Sequence, residues 1–125
     1  MQLNLVEGLN RVYIIPQVET ELKKLFGKSQ KDLNNYKEYL ISQLQIVERV
    51  DKHLDEFPFE HLKETHADLY RIRSKSKRKN VRVIYYYQID EKIVLLCAFE
   101  ERSKADYDRA IALALKRIKE IERVD

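Results

Sequence analysis

The sequence predicts an α+β fold, in which a small antiparallel meander sheet packs against an N-terminal helical hairpin and a C-terminal helix. Apolar residues recur at spacings of three and four over residues 33–54, and again over residues 111–121, as they do on one face of a helix. Between these segments, residues 69–99 contain three short apolar runs that are typical of strands. The expected order of elements is therefore β-α-α-β-β-β-α.

The chain is expected to begin with a strand and a short helix. Residues 11–15, RVYII, form an apolar run rich in β-branched side chains, and Pro16 ends it. Residues 18–26, VETELKKLF, predict a short helix, and Gly27 is expected to cap its C-terminus.

A long second helix is expected to complete a helical hairpin over residues 18–56. Residues 29–32, SQKD, predict a capping box, in which Ser29 caps the helix and Asp32 reaches back to the free amides. The FPF segment at 57–59 is expected to end the helix, because a residue before proline avoids helical backbone. One apolar stripe is predicted to face the sheet, and it consists of Leu33, Tyr36, Leu40, Leu44, Val47, Val50 and Leu54.

The second half of the chain predicts the meander. Strands are expected at 69–73 and 81–88, and a tight turn at 89–91 leads into a third strand at 92–99. The third run, KIVLLCAF, is almost continuously apolar, which is typical of a central strand covered on both faces. The three tyrosines at 85–87 alternate between faces, so we do not expect all of them in the core.

A final helix is predicted from a second capping box, SKAD at 103–106, to about Val124. Its buried stripe is expected to consist of Ile111, Ala114, Ile118 and Ile121.

Length and composition indicate one domain over residues 1–125. We expect no membrane association, because no segment approaches the roughly 18 apolar residues of a transmembrane helix. No secretory signal is apparent at the N-terminus. Cys97 is the only cysteine, so no disulfide can form within the chain, and a cytoplasmic protein with Cys97 in its core is expected.

The positive charge of the chain is concentrated in one segment. Residues 69–88 contain seven Lys or Arg residues and no acid, whereas the other 105 residues carry a net charge of −4. A concentrated basic patch attracts polyanions and steers their approach. Four of these cations stand together in KSKRK, where they either form a solvated loop or give diffuse attraction to RNA phosphates: Lys75, Lys77, Arg78 and Lys79.

The order of elements resembles the RelE/ParE toxin superfamily, and is closest to its RelE and phage-derived HigB branches. The resemblance is strongest over residues 61–118 and is carried by HLKETHADLYRIR, by VRVIYYYQIDEKIVLLCAF and by the polar turn into the last helix. It implies a RelE-like fold and a type II toxin that a protein antitoxin, of helix-turn-helix type, neutralises. It further implies an endoribonuclease that cleaves messenger RNA on the ribosome and so inhibits translation.

Such cleavage requires no metal and no cofactor. The 2′-hydroxyl of the RNA attacks the adjacent phosphorus and expels the 5′-oxygen, so the enzyme positions the groups, moves two protons and stabilises negative charge. Arginine suits the phosphate because its planar fork binds two oxygens and stays charged. Tyrosine can stack on a base, and it can exchange a proton where cations lower its pKa.

The resemblance carries over to five candidate catalytic residues. Arg71 and Arg73 lie two apart in the first meander strand and therefore on one face. Arg82, in the next strand, is the candidate for stabilising the transition-state charge. Arg102 and Tyr107 correspond to the basic and aromatic residues around the start of the last helix in the family.

The sequence departs from the family pattern at Glu100 and Glu101, where members commonly carry Lys or Arg. Two alternatives therefore stay open. One is a ParE-like inhibitor of DNA gyrase without nuclease activity, although that activity needs no cluster of arginines. The other is an inactive RNA-binding or protein-binding relative, which Glu100 and Glu101 would favour. Independently of these two classes, Arg82 could be a structural residue that pairs with Glu100 or Glu101 across the sheet.

The three histidines are His53, His61 and His66, and they do not predict a metal site, because no cysteine lies near them. His61, Glu64 and His66 precede the first meander strand directly, so they are weaker candidates for acid–base groups at the cleft.

Overall fold

A computed structural model describes residues 1–50, 52–63, 65, 67–74 and 80–123 of the chain. The described residues form an α+β fold with a six-stranded mixed sheet and three helices, which confirms the predicted class. The elements are β1 (Asn4–Leu5), β2 (Val12–Ile14), α1 (Pro16–Phe26), α2 (Gln30–Arg49), β3 (Phe59–Leu62), β4 (Leu69–Arg73), β5 (Val81–Tyr87), β6 (Ile93–Glu100) and α3 (Lys104–Ile121).

The sheet contains the predicted meander and extends beyond it on both sides. Its strand order is β1-β2-β6-β5-β4-β3, and all neighbours are antiparallel except β2 and β6, which run parallel. The sequence did not predict β1 or β3, because these strands have only two and four residues and mix polar with apolar side chains. β3 matters for the site, since it lies beside β4 with Glu60 opposite Arg71.

Helices cover both faces of the sheet. Side chains of α1 and α2 share one apolar cluster with alternate sheet residues such as Val83 and Tyr85, whereas α3 packs on the opposite face against Ile84 and Tyr86. β6 is buried along its first six residues, as predicted for a central strand. Because both faces are covered, Tyr85 and Tyr86 are both buried although they point in opposite directions, whereas Tyr87 is only partly buried, so not all three tyrosines lie in the core, as expected.

The first helix begins earlier than predicted. Pro16 does not only end the strand but occupies the first turn of α1, where its missing N–H leaves no hydrogen bond unmade. Gly27 caps the helix as predicted, with a φ of 55° that favours glycine. The Ser29 side chain accepts the Asp32 N–H and caps α2, but the Ser29 N–H donates to the Phe26 carbonyl instead of reaching the Asp32 carboxylate.

The second helix ends at Arg49, so the predicted hairpin to residue 56 was too long. Arg11 contacts the end of this helix, because its Nη2 donates to the Glu48 carbonyl at 3.0 Å. The Glu48 carboxylate in turn accepts the N–H groups of Asn10 and Arg11. The Glu48 carbonyl, which in a longer helix would accept an N–H from the next turn, is thus satisfied by Arg11, and Val50 continues in extended backbone.

The last helix begins with the predicted capping box of Ser103 and Asp106 and ends at Ile121. Its most buried residues are Ala110, Ala114 and Arg117, whereas Ile111, Ile118 and Ile121 of the predicted stripe are half-buried. A buried arginine was not expected on this face, because arginine rarely lies in a core unless it is paired.

Within the described part of the chain, no helix has the length and apolarity needed to cross a membrane.

Arg117 is paired on an open edge of β6. β2 pairs with residues 93–95 of β6, and no strand among the described residues pairs with the backbone beyond them on that side. Arg117 Nη1 donates to the Leu96 carbonyl at 2.7 Å, and the Glu21 carboxylate accepts the Ala98 N–H at 3.1 Å. Glu21 also pairs with Arg117 at 2.8 Å, so one ion pair joins α1 to α3 across this edge.

Replacing Arg117 should therefore destabilise the whole fold. Arg117→Ala leaves the Glu21 carboxylate and the Leu96 carbonyl without their cationic partner, and breaking such a buried pair costs about 3–5 kcal/mol. Urea unfolding followed by circular dichroism measures the change in the free energy of unfolding. Lys116→Ala is the matched control, because Lys116 is the exposed neighbour on the same helix. Equal stabilities of the two variants would contradict the role assigned to the ion pair.

Candidate functional site

The sheet brings three of the predicted arginines onto one face. Arg73 lies directly opposite Arg82 in the β4–β5 pairing, and Arg71 lies opposite Ile84. Ile84 packs in the apolar cluster of α3, so all three arginines belong to the face that α3 covers. We call Arg71, Arg73 and Arg82 the arginine face.

Arg71 is buried, and each of its two terminal nitrogens is bonded to a carboxylate. Its Nη2 donates to Glu60 at 2.7 Å, and its Nη1 donates to Glu101. The guanidinium also lies over the Tyr107 ring, 5.1 Å from the centroid, in a cation–π contact. Burial alone would lower the pKa of Arg71, but the hydrogen bond to Glu60 and the charge of Glu101 outweigh it and raise the pKa above its ordinary value.

Arg82 is equally buried but is paired differently. It is 7 % exposed, and its Nη1 makes one long hydrogen bond of 3.4 Å to the Val81 carbonyl. Among the described residues its buried Nε has no hydrogen-bond partner, and none of their carboxylates forms an ion pair with the Arg82 guanidinium. Burial lowers the pKa of Arg82, Glu101 opposes this effect, and the positive charges of Arg73 and Arg71 add to it. The charge of Glu101 therefore acts on Arg82 from beyond ion-pair distance, and a bound anion in direct contact would offset more of the cost of burying this guanidinium.

Arg73 is the most exposed member of the arginine face. Its Nη1 lies 3.9 Å from a Glu60 oxygen, and its guanidinium lies 5.7 Å from the centroid of the Phe57 ring. The Arg73 carbonyl accepts the Tyr39 hydroxyl at 2.6 Å, so the strand end is anchored to α2 while the side chain stays accessible.

An open cleft of about 450 Å³ lies between Arg71 and the start of α3. It is lined by Glu60, Arg71, Glu101, Arg102, Ser103, Lys104 and Tyr107. Three predicted residues therefore share one cleft, namely Arg71, Arg102 and Tyr107, whereas Arg73 and Arg82 lie beside Arg71 on the same sheet face and do not line it. The predicted cations Lys75, Lys77, Arg78 and Lys79 lie outside the described residues.

The turn before α3 is held in place by Asp106. Its carboxylate accepts the N–H groups of Arg102 at 2.9 Å and Ser103 at 3.1 Å. The hydrogen bond from the Arg102 N–H is the main cause that lowers the pKa of Asp106. Tyr107 lies in the first turn of the helix, so the capping box, by fixing the start of α3, also positions the Tyr107 ring against the Arg71 guanidinium.

Glu100 and Glu101, the two residues that differ from the family pattern, have different partners. Glu101 pairs with Arg71, and Glu100 lies 3.6 Å from Arg102, whose side chain is 75 % exposed. Arg82 does not form an ion pair with either glutamate among the described residues, although such a pair was one of the alternatives.

Glu60 and Lys104 line the cleft but were not predicted from the sequence. The β3–β4 register alone reveals Glu60, and the sequence showed Lys104 only as part of a capping motif.

The described histidines lie away from the cleft, so the acid–base candidacy of His61 was wrong. His61 lies opposite Tyr70, on the face of α2, and its Nε2 pairs with Asp68 at 2.6 Å. His53 stacks on Tyr87 at 3.6 Å between ring centroids. Glu64 and His66 lie outside the described residues, and among those described no cluster of His, Cys, Asp and Glu could hold a metal ion.

The tyrosines of β5 are structural. Burial raises the pKa of Tyr85 and Tyr86 above the ordinary tyrosine value and raises that of Tyr87 to about 12. The Tyr86 hydroxyl donates to Glu122 at 2.6 Å, which joins β5 to the end of α3. Tyr85 and Tyr86 are buried within the sheet packing, and Tyr107 is the tyrosine that lines the cleft.

Comparison with known families gives one match. A sequence model of the family described as phage derived protein Gp49-like (DUF891) matches residues 29–119, which is well over half of the chain. The match includes the arginine face and the cleft with Tyr107. Searches of curated proteins and of solved structures found no match.

The two arginines of the cleft should differ in their effect on stability. Arg71→Ala removes the cation between two partly buried carboxylates and should lower the free energy of unfolding by about 2 kcal/mol. Arg102→Ala, the control, removes a solvent-exposed pair and should cost less than about 1 kcal/mol. Thermal and urea unfolding of both variants give the comparison, and a larger loss for Arg102→Ala would contradict the pairing described for Arg71.

Proposed function

The chain belongs to the Gp49-like family of phage-derived proteins, a RelE/ParE-like toxin family, and we propose that it is a ribosome-dependent messenger RNA endonuclease of the RelE/HigB type. The family is associated with the toxins of toxin–antitoxin systems. The proposed activity belongs to a single domain of RelE-like fold over residues 1–125, acts in the cytoplasm and needs no metal or cofactor.

The observation that supports a phosphate ligand is the arginine face. Three guanidinium groups lie on neighbouring positions of β4 and β5, and Arg82 is buried with no ion-pair partner among the described residues. Gyrase inhibition by protein contact does not require such a buried cation, whereas a phosphodiester would supply the missing negative charge. The nuclease is therefore favoured over the ParE-like alternative.

In the proposed mechanism the protein aligns and stabilises a reaction that the RNA carries out on itself. Arg71, Arg73 and Arg82 hold the scissile phosphate, and Arg82 stabilises the charge that develops when the 2′-oxygen attacks phosphorus. The 2′-hydroxyl gives up its proton as its oxygen bonds to phosphorus, the bond from phosphorus to the 5′-oxygen breaks, and that oxygen takes up a proton, which leaves a 2′,3′-cyclic phosphate and a 5′-hydroxyl. Tyr107 stacks on the neighbouring base or exchanges a proton with the nucleotide, and Arg102 holds the backbone beside it.

Two partners are implied. The family suggests a protein antitoxin, for which we propose a helix-turn-helix protein. The second partner is the ribosome with its messenger RNA. We propose that the cations at 75, 77, 78 and 79 attract ribosomal RNA without reading its sequence, because phosphate contacts position a protein but do not specify bases.

Expression of this protein alone should stop bacterial growth. Cleavage of translating messages removes the templates for protein synthesis, so induction should block incorporation of labelled amino acids within minutes. The matched control is Arg82→Ala at equal soluble expression, which should permit growth. Normal growth with confirmed soluble wild-type protein would remove the toxin proposal.

Primer extension on messages from the induced cells distinguishes the branches of the superfamily. New 5′ ends in register with codons are expected for the nuclease. Intact messages with DNA damage would support the ParE-like inhibitor, and intact messages without damage would support an inactive relative.

Arg82→Ala should reduce the chemical step far more than binding. Removing one donor that acts mainly in the transition state costs about 10²–10³ in rate. Neutralising Lys75, Lys77, Arg78 and Lys79 together should instead weaken ribosome binding and its salt dependence, with a nearly unchanged rate at saturation. Single-turnover cleavage on programmed ribosomes and a salt-dependent binding titration measure both effects.

Lys24→Ala, on the exposed side of α1, controls for loss of charge alone. A wild-type cleavage rate for Arg82→Ala at saturation, or unfolding of that variant, would contradict the catalytic role and make Arg82 a structural residue.

A further inference from the structure

We propose that Glu101 is an internal competitor of RNA phosphate for Arg71, and that it thereby sets the anion affinity of the cleft. This inference rests on the proposed function and adds a residue that restrains it. It is motivated by the fact that Arg71, the one member of the arginine face that lines the cleft, already has both terminal nitrogens bonded to carboxylates.

Both terminal nitrogens of the Arg71 guanidinium are already bonded to carboxylates. Nη1 donates to Glu101 and Nη2 donates to Glu60 at 2.7 Å. The remaining nitrogen, Nε, is buried and has no hydrogen-bond partner in the part of the chain that the structure describes. Guanidinium groups bind carboxylates and phosphates through the same two-pronged geometry. A phosphate in the cleft must therefore displace a carboxylate in order to bond to Arg71.

Glu101 is the carboxylate that can leave. Glu60 bonds to Arg71 at 2.7 Å and also lies 3.9 Å from Arg73, so its departure would leave two arginines without it, whereas Glu101 forms an ion pair with Arg71 alone among the described residues. Glu101 follows the last residue of β6, and its backbone N–H donates to the Asn80 carbonyl at 2.9 Å. Its side chain is 24 % exposed, so rotation about side-chain bonds moves the carboxylate into solvent without breaking any strand pairing.

The charge of Glu101 acts on the arginine face beyond Arg71. It also opposes the lowering of the Arg82 pKa by burial, so its field reaches the cation that lacks an ion-pair partner in the described part of the chain. A phosphate that approaches either arginine therefore meets a negative charge at short range. Removing that charge should strengthen anion binding at the cleft and leave the positions of the arginines unchanged.

The test compares Glu101→Gln with wild type. Glutamine keeps an oxygen that can accept from Arg71 but has no charge. The probe is a short all-2′-deoxy oligonucleotide, which offers phosphates but lacks the attacking 2′-hydroxyl, and its affinity for the isolated protein is measured by fluorescence anisotropy at low salt. We expect about tenfold tighter binding for Glu101→Gln. Glu120→Gln, an exposed site on α3, makes the same change in net charge and should bind like wild type.

Cleavage on programmed ribosomes supplies a second readout. Glu101→Gln should reach its half-maximal rate at a lower ribosome concentration than wild type and should have a similar rate at saturation. Unchanged or weaker oligonucleotide binding would overturn the proposal. A lower saturated rate with unchanged binding would also overturn it, because Glu101 would then act in the chemical step.

Folding and function are controlled separately. Glu101→Ala is the second variant, and loss of folding in both variants would make Glu101 a structural anchor and overturn the proposal. If no variant cleaves RNA but Glu101→Gln still binds the oligonucleotide more tightly, the nuclease function fails while the competition at Arg71 stands.

Discussion

The position of Arg71 links the parts of the candidate site to one another. Its guanidinium is bonded to Glu60 on β3 and to Glu101 just after β6, and it lies under the Tyr107 ring in the first turn of α3. Three separate segments thus meet at one cation. Because the cation is buried, these contacts are stronger than the same contacts would be in water. The shape of the cleft depends on this arrangement, and so does the access of any anion to it.

The buried arginines show two solutions to one physical problem. Arg117 is satisfied entirely from within, by Glu21 and by a carbonyl on the open edge of β6, and it stabilises the packing of two helices. Arg82 is buried to a similar degree and has no carboxylate partner among the described residues. A protein that carries an unsatisfied cation in a core loses stability through it. The loss is understandable where the missing partner is a ligand, as the proposed function requires.

The sequence was sufficient to predict the parts of the fold that repeat a pattern. β4 was predicted to the residue, and the second capping box and the central position of β6 were confirmed. What it could not supply were features that depend on tertiary pairing. β3 is short and mixed in character, so neither its existence nor the partnership of Glu60 with Arg71 was visible. Likewise, nothing in the pattern of α3 shows that Arg117 faces inward, because its partner Glu21 is remote in the sequence.

The central claim is that the arginine face of β4 and β5 binds RNA phosphate, and the Nε–H resonances of its arginines test it most directly. Titration of ¹⁵N-labelled protein with a non-cleavable 2′-deoxy oligonucleotide should shift the Nε–H signals of Arg82 and Arg73 most strongly, with Arg71 following as Glu101 is displaced. The Nε–H signals of Arg11 and Arg117, which are satisfied elsewhere in the fold, should stay in place. Shifts confined to residues outside the arginine face, with Arg82 unchanged at saturation, would contradict the account.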